Sequence, residues 1–156
     1  MPAEWRCKKF EDLTPYEVYA ILQLRIEVFI IEQTCFFQDA DNKDQKAWHL
    51  MCWDGEGLLA CSRLLPAAAS YPEISIGRIV SAGRARRLGI GKELLRRSIA
   101  ECFRLFGEQT IRIGAQLYLK RFYESFGFVQ ASPVYLEDGI EHIEMLREVQ
   151  PATATR

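Results

Sequence analysis

The amino-acid sequence predicts one α/β domain built on a mixed, largely antiparallel sheet flanked by helices. Two apolar runs at 47–54 and 58–65, joined by Gly55-Glu56-Gly57, carry a hairpin signal. The stretch 75–106 then changes from strand-like to helical periodicity across a basic, glycine-containing loop. A shorter alternation of strand, helix and strand follows to residue 146. A chain of 156 residues supports one proper core rather than two. No repeat, low-complexity run or linker divides it, so 1–150 is expected to form the domain and 151–156 a loose tail.

Residues 4–10 set Trp5, Cys7 and Lys9 against Arg6, Lys8 and Phe10 and are read as a first strand. Thr14-Pro15-Tyr16-Glu17 starts a helix, with Thr14 as N-cap, proline at the first helical position and Glu17 closing a capping box. Val18, Ile21, Leu22, Arg25, Ile26 and Phe29 carry that helix to residue 30 or 31. The polar stretch 34–46, with Asp39, Asp41 and Asp44, is expected to be a loop. After the hairpin and a loop at 66–72, residues 75–81 are extended. From Gly89 onward, Leu95, Ile99, Cys102, Phe103 and Phe106 share one helical face, and Gly107 supplies the C-cap. A strand at 110–115 and a helix at 117–126 follow, the helix closed by Gly127. The segment 128–135 is expected to be extended, Glu137-Asp138-Gly139 to be a turn and 140–146 to be the last strand.

Composition excludes several functions. Half-hydrophobic content with 26% charged residues is ordinary for a globular chain, and a net charge of −1 argues against a nucleic-acid binder despite the basic cluster at 84–97. No apolar run approaches membrane-spanning length and no apolar leader opens the chain. Cys7, Cys35, Cys52, Cys61 and Cys102 are scattered and odd in number, which suits reduced thiols in a cytoplasmic protein. Asp39, Asp41 and Asp44 lack the glycine and terminal glutamate of a calcium loop, so no metal is expected.

The chemistry concentrates where the long helix begins. Helix N-termini carry unpaired N–H groups and partial positive charge. Gly89 and Gly91 permit close approach of an anion, and Arg86, Arg87 and Lys92 add charge around it. A P-loop would need glycine at 86 and serine or threonine at 93, where Arg86 and Glu93 stand; a dinucleotide fingerprint would need glycine at 94, which is Leu94. On the loop alone, a phosphate cradle and a solvated basic helix start both fit.

Arg86-Arg87-Leu88-Gly89-Ile90-Gly91 matches R/Q-x-x-G-x-G/A and resembles the pyrophosphate loop of the GCN5-related N-acetyltransferases (GNAT). Gln116-x-x-Leu119-x-x-Phe122-Tyr123-x-x-x-Gly127-Phe128 is similar to a second segment of that family, departing from it at Gln116 and Leu119. Arg25-x-x-Val28-Phe29-x-x-Glu32-Gln33, Gln38-Asp39-x-Asp41, Trp48-His49, Ile76-Gly77-Arg78, Gly114-Ala115-Gln116 and Asp138-Gly139-Ile140-x-His142-Ile143 resemble the ElaA-type subgroup.

The resemblance implies a strand–loop–helix acyl-CoA cradle and acetyl transfer from acetyl-CoA to a primary amine of a small molecule or protein; a non-catalytic acyl-CoA sensor is the alternative. It implies that Ile79, Val80 and Ser81 pair with the pantetheine arm, that Arg86, Arg87, Leu88, Gly89, Ile90, Gly91 and Lys92 hold the pyrophosphate, and that Gln116 and Tyr123 touch the cofactor. Tyr123 is the candidate general acid, or else a packing residue on its apolar face. His142 is the candidate base, because an imidazole titrates near neutrality; His49 is read as structural or as a second candidate. Arg25, Phe29 and Glu32 are assigned to the acceptor, with a buried ion pair as the other reading of Arg25. No nucleic acid or membrane partner is expected, and a homodimer is allowed.

Overall fold

A computed structural model describes residues 2–149 of the chain; the expected tail at 151–156 lies outside them. Its elements in order are β1 (Glu4–Lys9), α1 (Pro15–Arg25), β2 (Trp48–Asp54), β3 (Gly57–Leu65), β4 (Ile74–Ser81), α2 (Ile90–Phe106), β5 (Ile111–Gln116), α3 (Lys120–Glu124), β6 (Val129–Gln130), β7 (Tyr135–Glu137) and β8 (Ile140–Arg147). The strands form one eight-stranded sheet in the order β1-β2-β3-β4-β5-β8-β6, with β7 also on β8. Every pairing is antiparallel except that of β4 with β5.

The pleat sorts the central strands between two layers of helices. Met51 and Cys61 point to one face, where Ile21, Leu24 and Val28 cover them. Leu50, Cys52 and Ala60 point to the other, against Leu94 of α2. The largest core cluster lies on the α2 side, where Leu95, Ile99 and Cys102 meet Ile111, Ile113, Ile143 and Met145, with Tyr123 and Phe128 closing it from α3 and beyond.

The predicted capping box forms: the Glu17 N–H donates to Thr14 Oγ1 over 3.1 Å and the Thr14 N–H donates to Glu17 Oε1 over 2.9 Å. Glu17 also accepts from Arg6 and Lys8, which ties the helix start to β1. Beyond Arg25 the regular α ladder ends. Ile26–Glu32 is a π-helical segment, continued by Gln33 N–H to Val28 O and Cys35 N–H to Ile30 O. The wider turn shifts the apolar face, so Ile26 is 43% exposed and Val28 is buried. Simple i, i+3, i+4 spacing missed that shift.

Two other expectations change. The helix expected at 117–126 is a 3₁₀ turn at Leu117–Leu119 followed by the five residues of α3. The extended segment at 128–135 is broken into β6 and β7, with Ser132-Pro133 between them. Pro133 has no N–H for a ladder, while Ser132 Oγ instead accepts from the Glu144 N–H at 2.8 Å.

The acidic loop is pinned by three arginines from three elements. Arg25 of α1, only 1% exposed, donates from Nε to Asp39 Oδ2 and from Nη1 to Asp44 Oδ1, each over 2.8 Å. Arg63 of β3 donates from Nη1 and Nη2 to the two oxygens of Asp41 at 2.7 and 3.0 Å. Arg78 of β4 places Nε 2.9 Å from Asp39 Oδ1. Burial opposes ionisation of Asp41, but the hydrogen bonds and charge of Arg63, with the charge of Arg78, hold its carboxyl at about 2. His49 completes the cluster with a 3.0 Å contact from Nε2 to the Asp44 carbonyl, and burial lowers its basicity.

Removing one arm leaves buried carboxylates uncompensated. Arg25→Leu is therefore expected to cost about 3–5 kcal/mol in urea unfolding, and a loss below ~1 kcal/mol would contradict a structural role. The acid limb follows from the depressed Asp41 value. Its contribution is complete above the unfolded carboxyl value of ~3.9 and disappears as pH falls toward about 2. Thermal melts should thus drop between those limits in the wild type, and less steeply in Asp41→Asn.

Candidate functional site

β4 and β5 are paired only at Ile74 with Ile111 and Ser75 with Arg112, and then diverge. On the other side of β4, Cys61 faces Val80 and Arg63 faces Gly77, so Arg78 and Ile79 together oppose Ser62 as a β-bulge. Arg78 adopts φ +46° there, a left-handed conformation uncommon for a side chain of this size. The bulge turns β4 away from β5. What opens is a cleft of about 980 Å³ whose walls are the free edge of Ile76–Ser81, the first turn of α2, the end of β5, the π segment and the β7–β8 turn.

The cradle occupies one end. Gly89 caps α2 at φ +76°, and the first hydrogen bond of the helix runs from Glu93 N–H to Gly89 O. The N–H groups of Ile90, Gly91 and Lys92 therefore lie outside the α ladder. Arg86 and Gly91 line the cleft, whereas Arg87, Leu88, Gly89 and Lys92 belong to the same turn on its exposed outer side and Ile90 packs into the core. A Cβ at Gly91 would meet no protein atom within 4 Å, so the approach to its backbone is open. Arg86 is held by Glu32, with Nη1 2.6 Å from Oε1 across the cleft mouth.

Ile79, Val80 and Ser81 line the same cleft from the free edge of β4. Tyr123 lies at its base, 6% exposed, with its ring edge-on to Phe122 and Phe128. Burial, with the neighbouring Tyr118, pushes its phenol well above the usual range, so the hydroxyl stays protonated. Gln116 also faces in. Its amide exchanges hydrogen bonds with Gln33, Nε2 to Oε1 over 3.2 and 3.4 Å, joining the π segment to the end of β5.

His142 stands opposite Gln116 in the β5–β8 register and is 8% exposed. Its Nδ1 lies 2.7 Å from the Ile140 carbonyl, which can only accept, so the proton sits on Nδ1. Its other ring nitrogen, Nε2, lies 3.7 Å from Glu137 Oε2. Phe29 and Glu32 line the cleft. Arg25 does not reach it; its guanidinium is consumed by Asp39 and Asp44 on the far side of the loop.

Several lining residues escaped sequence reasoning. Gln33 stands in the sequence only within the Glu32-Gln33 motif, and its pairing with Gln116, 83 positions away, is not visible there. Tyr71 lines the cleft from a loop, and Tyr135 of β7 stands behind it; a Cβ on Gly114 would lie 2.9 Å from the Tyr71 hydroxyl and 3.3 Å from that of Tyr135. Cys35 fastens the β7–β8 turn through a 3.2 Å contact of Sγ with the Asp138 carbonyl. Periodicity carries no trace of such contacts.

Comparison with known proteins agrees with this geometry. The acetyltransferase (GNAT) domain family matches residues 28–149. Protein ElaA of Escherichia coli strain K12 is 36% identical over 148 residues, covering 94% of this chain and 97% of the relative. Among solved structures, an acyl-CoA N-acyltransferase from Pseudomonas aeruginosa superposes with a TM-score of 0.89 at 42% identity, over 94% of this chain and 99% of that one. Escherichia coli ElaA superposes at 0.88 with 34% identity, over 94% and 100%.

Gly91→Leu separates cradle from scaffold, because the R/Q-x-x-G-x-G/A pattern admits glycine or alanine at that position but no bulky side chain. Its backbone is helical and its Cβ meets nothing, so the melting temperature should be unchanged or raised. Calorimetric affinity for CoA should fall at least tenfold, on the order of 1.4 kcal/mol. Undiminished affinity would remove Gly91 from the cradle.

Proposed function

Because the chain belongs to the GNAT acetyltransferase family, we propose that it transfers an acetyl group from acetyl-CoA to a primary amine of a small molecule or protein within a ternary complex. The observation that supports this most is the convergence of an unpaired β4 edge, an open helix N-terminus and a buried tyrosine hydroxyl on one cleft. Acetyl-CoA supplies an acetyl thioester, which an amine attacks as the C–S bond breaks.

The chain's residues supply the rest. The free N–H groups of Ile90, Gly91 and Lys92, with the charges of Arg86 and Arg87, hold the pyrophosphate. The edge at Ile79, Val80 and Ser81 accepts the pantetheine amides as an added strand, and one of its N–H groups polarises the thioester carbonyl. Gln116, steadied by Gln33, orients the acyl end. His142 Nε2 takes the proton from the amine, because its Nδ1–H is already committed to Ile140. The Tyr123 hydroxyl donates to the departing sulfur, a modest demand for a thiol of pKa about 8.5. Phe29 and Glu32 serve the acceptor side. All five thiols are free, which suits a reducing compartment such as the cytoplasm, and burial pushes that of Cys61 up to about 12, leaving it inert.

Thiol release in the presence of acetyl-CoA and an amine panel tests the activity. Tight CoA binding without release on any amine would make the chain a sensor instead. Tyr123→Phe should lower turnover about 10²-fold while CoA affinity stays within about twofold. Turnover at the wild-type rate would leave Tyr123 a packing residue.

A further inference from the structure

Most charges on the cleft wall are paired. Arg63 and Arg78 are neutralised by the carboxylates of the acidic loop and Arg86 rests on Glu32, while the Lys43 ammonium has no carboxylate partner among the described residues. Of the lining carboxylates, Asp41 and Glu32 therefore face arginines. Glu137 and Asp138 have no arginine or lysine partner among the described residues; the one basic group near Glu137 is His142.

These two carboxylates border a compartment equipped for a ligand. The Tyr71 and Tyr135 hydroxyls converge on Gly114, and neither finds a hydrogen-bond partner among the described residues. The Tyr135 ring lies against the His142 imidazole, with centroids 5.9 Å apart and planes inclined by 30°. His142, 8% exposed, turns an Nε2 without a hydrogen bond toward the cleft. Gly114 keeps the floor narrow, since even a methyl group there would press on both phenols.

We infer that this compartment receives the acceptor, and that the acceptor is an unbranched aliphatic amine carrying a second positive charge. The attacking nitrogen must be neutral when it reacts, so it cannot compensate Glu137 and Asp138 during the reaction. A second ammonium can, held by those carboxylates while the phenol oxygens accept from its N–H groups. Binding of a pyrophosphate at Arg86 would also release Glu32, adding a third carboxylate to the same cleft. This inference rests on the acetyl-transfer reading above.

The test is calorimetric titration of 1,4-diaminobutane and of n-butylamine, a monocation of equal chain length, into CoA-saturated protein. The diamine should bind at least tenfold more tightly. Glu137→Gln combined with Asp138→Asn, both on an exposed turn, should erase that preference with CoA affinity kept within twofold. Equal binding of the two amines, binding of neither, or a preference that survives in the double variant would each overturn the inference while leaving the acyltransferase reading in place. Wild-type protein that takes up no CoA would overturn both.

Discussion

The cleft exists because β4 and β5 part after two paired residues. A parallel pair that continued to Ser81 and Gln116 would close the sheet and leave no free edge. Its separation has a local cause: Arg78 and Ile79 share one opposing residue, so β4 bends where the bulge falls. Gly77 precedes the bulge, and the left-handed Arg78 is held there by its charges. The backbone conformation is stabilised through the side chain of the same residue, because Asp39 and Asp41 anchor its guanidinium while Phe37 lies under it at 5.6 Å.

That anchoring gives the acidic loop its purpose in the fold. Three carboxylates that resemble a cation site by sequence are spent on three guanidiniums. The loop thereby joins α1, β3 and β4 on the side from which the π segment enters the cleft. The π segment then brings Phe29, Glu32 and Gln33 to the cleft wall, where Gln33 meets Gln116. Stability and site geometry are consequently coupled: loosening Arg25 or Arg78 disturbs both the loop and the bend in β4.

Much of this was legible beforehand, for identifiable reasons. The Thr14 capping box, the Gly89 start and Gly107 end of α2, and the hairpin at Gly57 depend on local backbone chemistry, which a sequence states directly. The loop from Arg86 to Gly91 stands out because its residues are contiguous and match one family pattern. The opposite wall of the cleft is less contiguous. His142 and Gly114 stand out in the sequence, but Tyr71 and Tyr135 meet them only through strand register and a loop crossing, and each alone looks like an ordinary aromatic residue. Arg25 has two readings, substrate contact and buried ion pair, and its bonds to Asp39 and Asp44 favour the pair. The π turn hid itself because one wider turn leaves composition unchanged and moves Ile26 outward.

Backbone hydrogen exchange tests most directly whether the opening between β4 and β5 is the cofactor site. Amides of Ile79, Val80 and Ser81, on an edge without a strand partner, should gain protection when acetyl-CoA binds, together with those of Ile90, Gly91 and Lys92. Protection confined to other parts of the chain, or none at saturating ligand, would contradict the account.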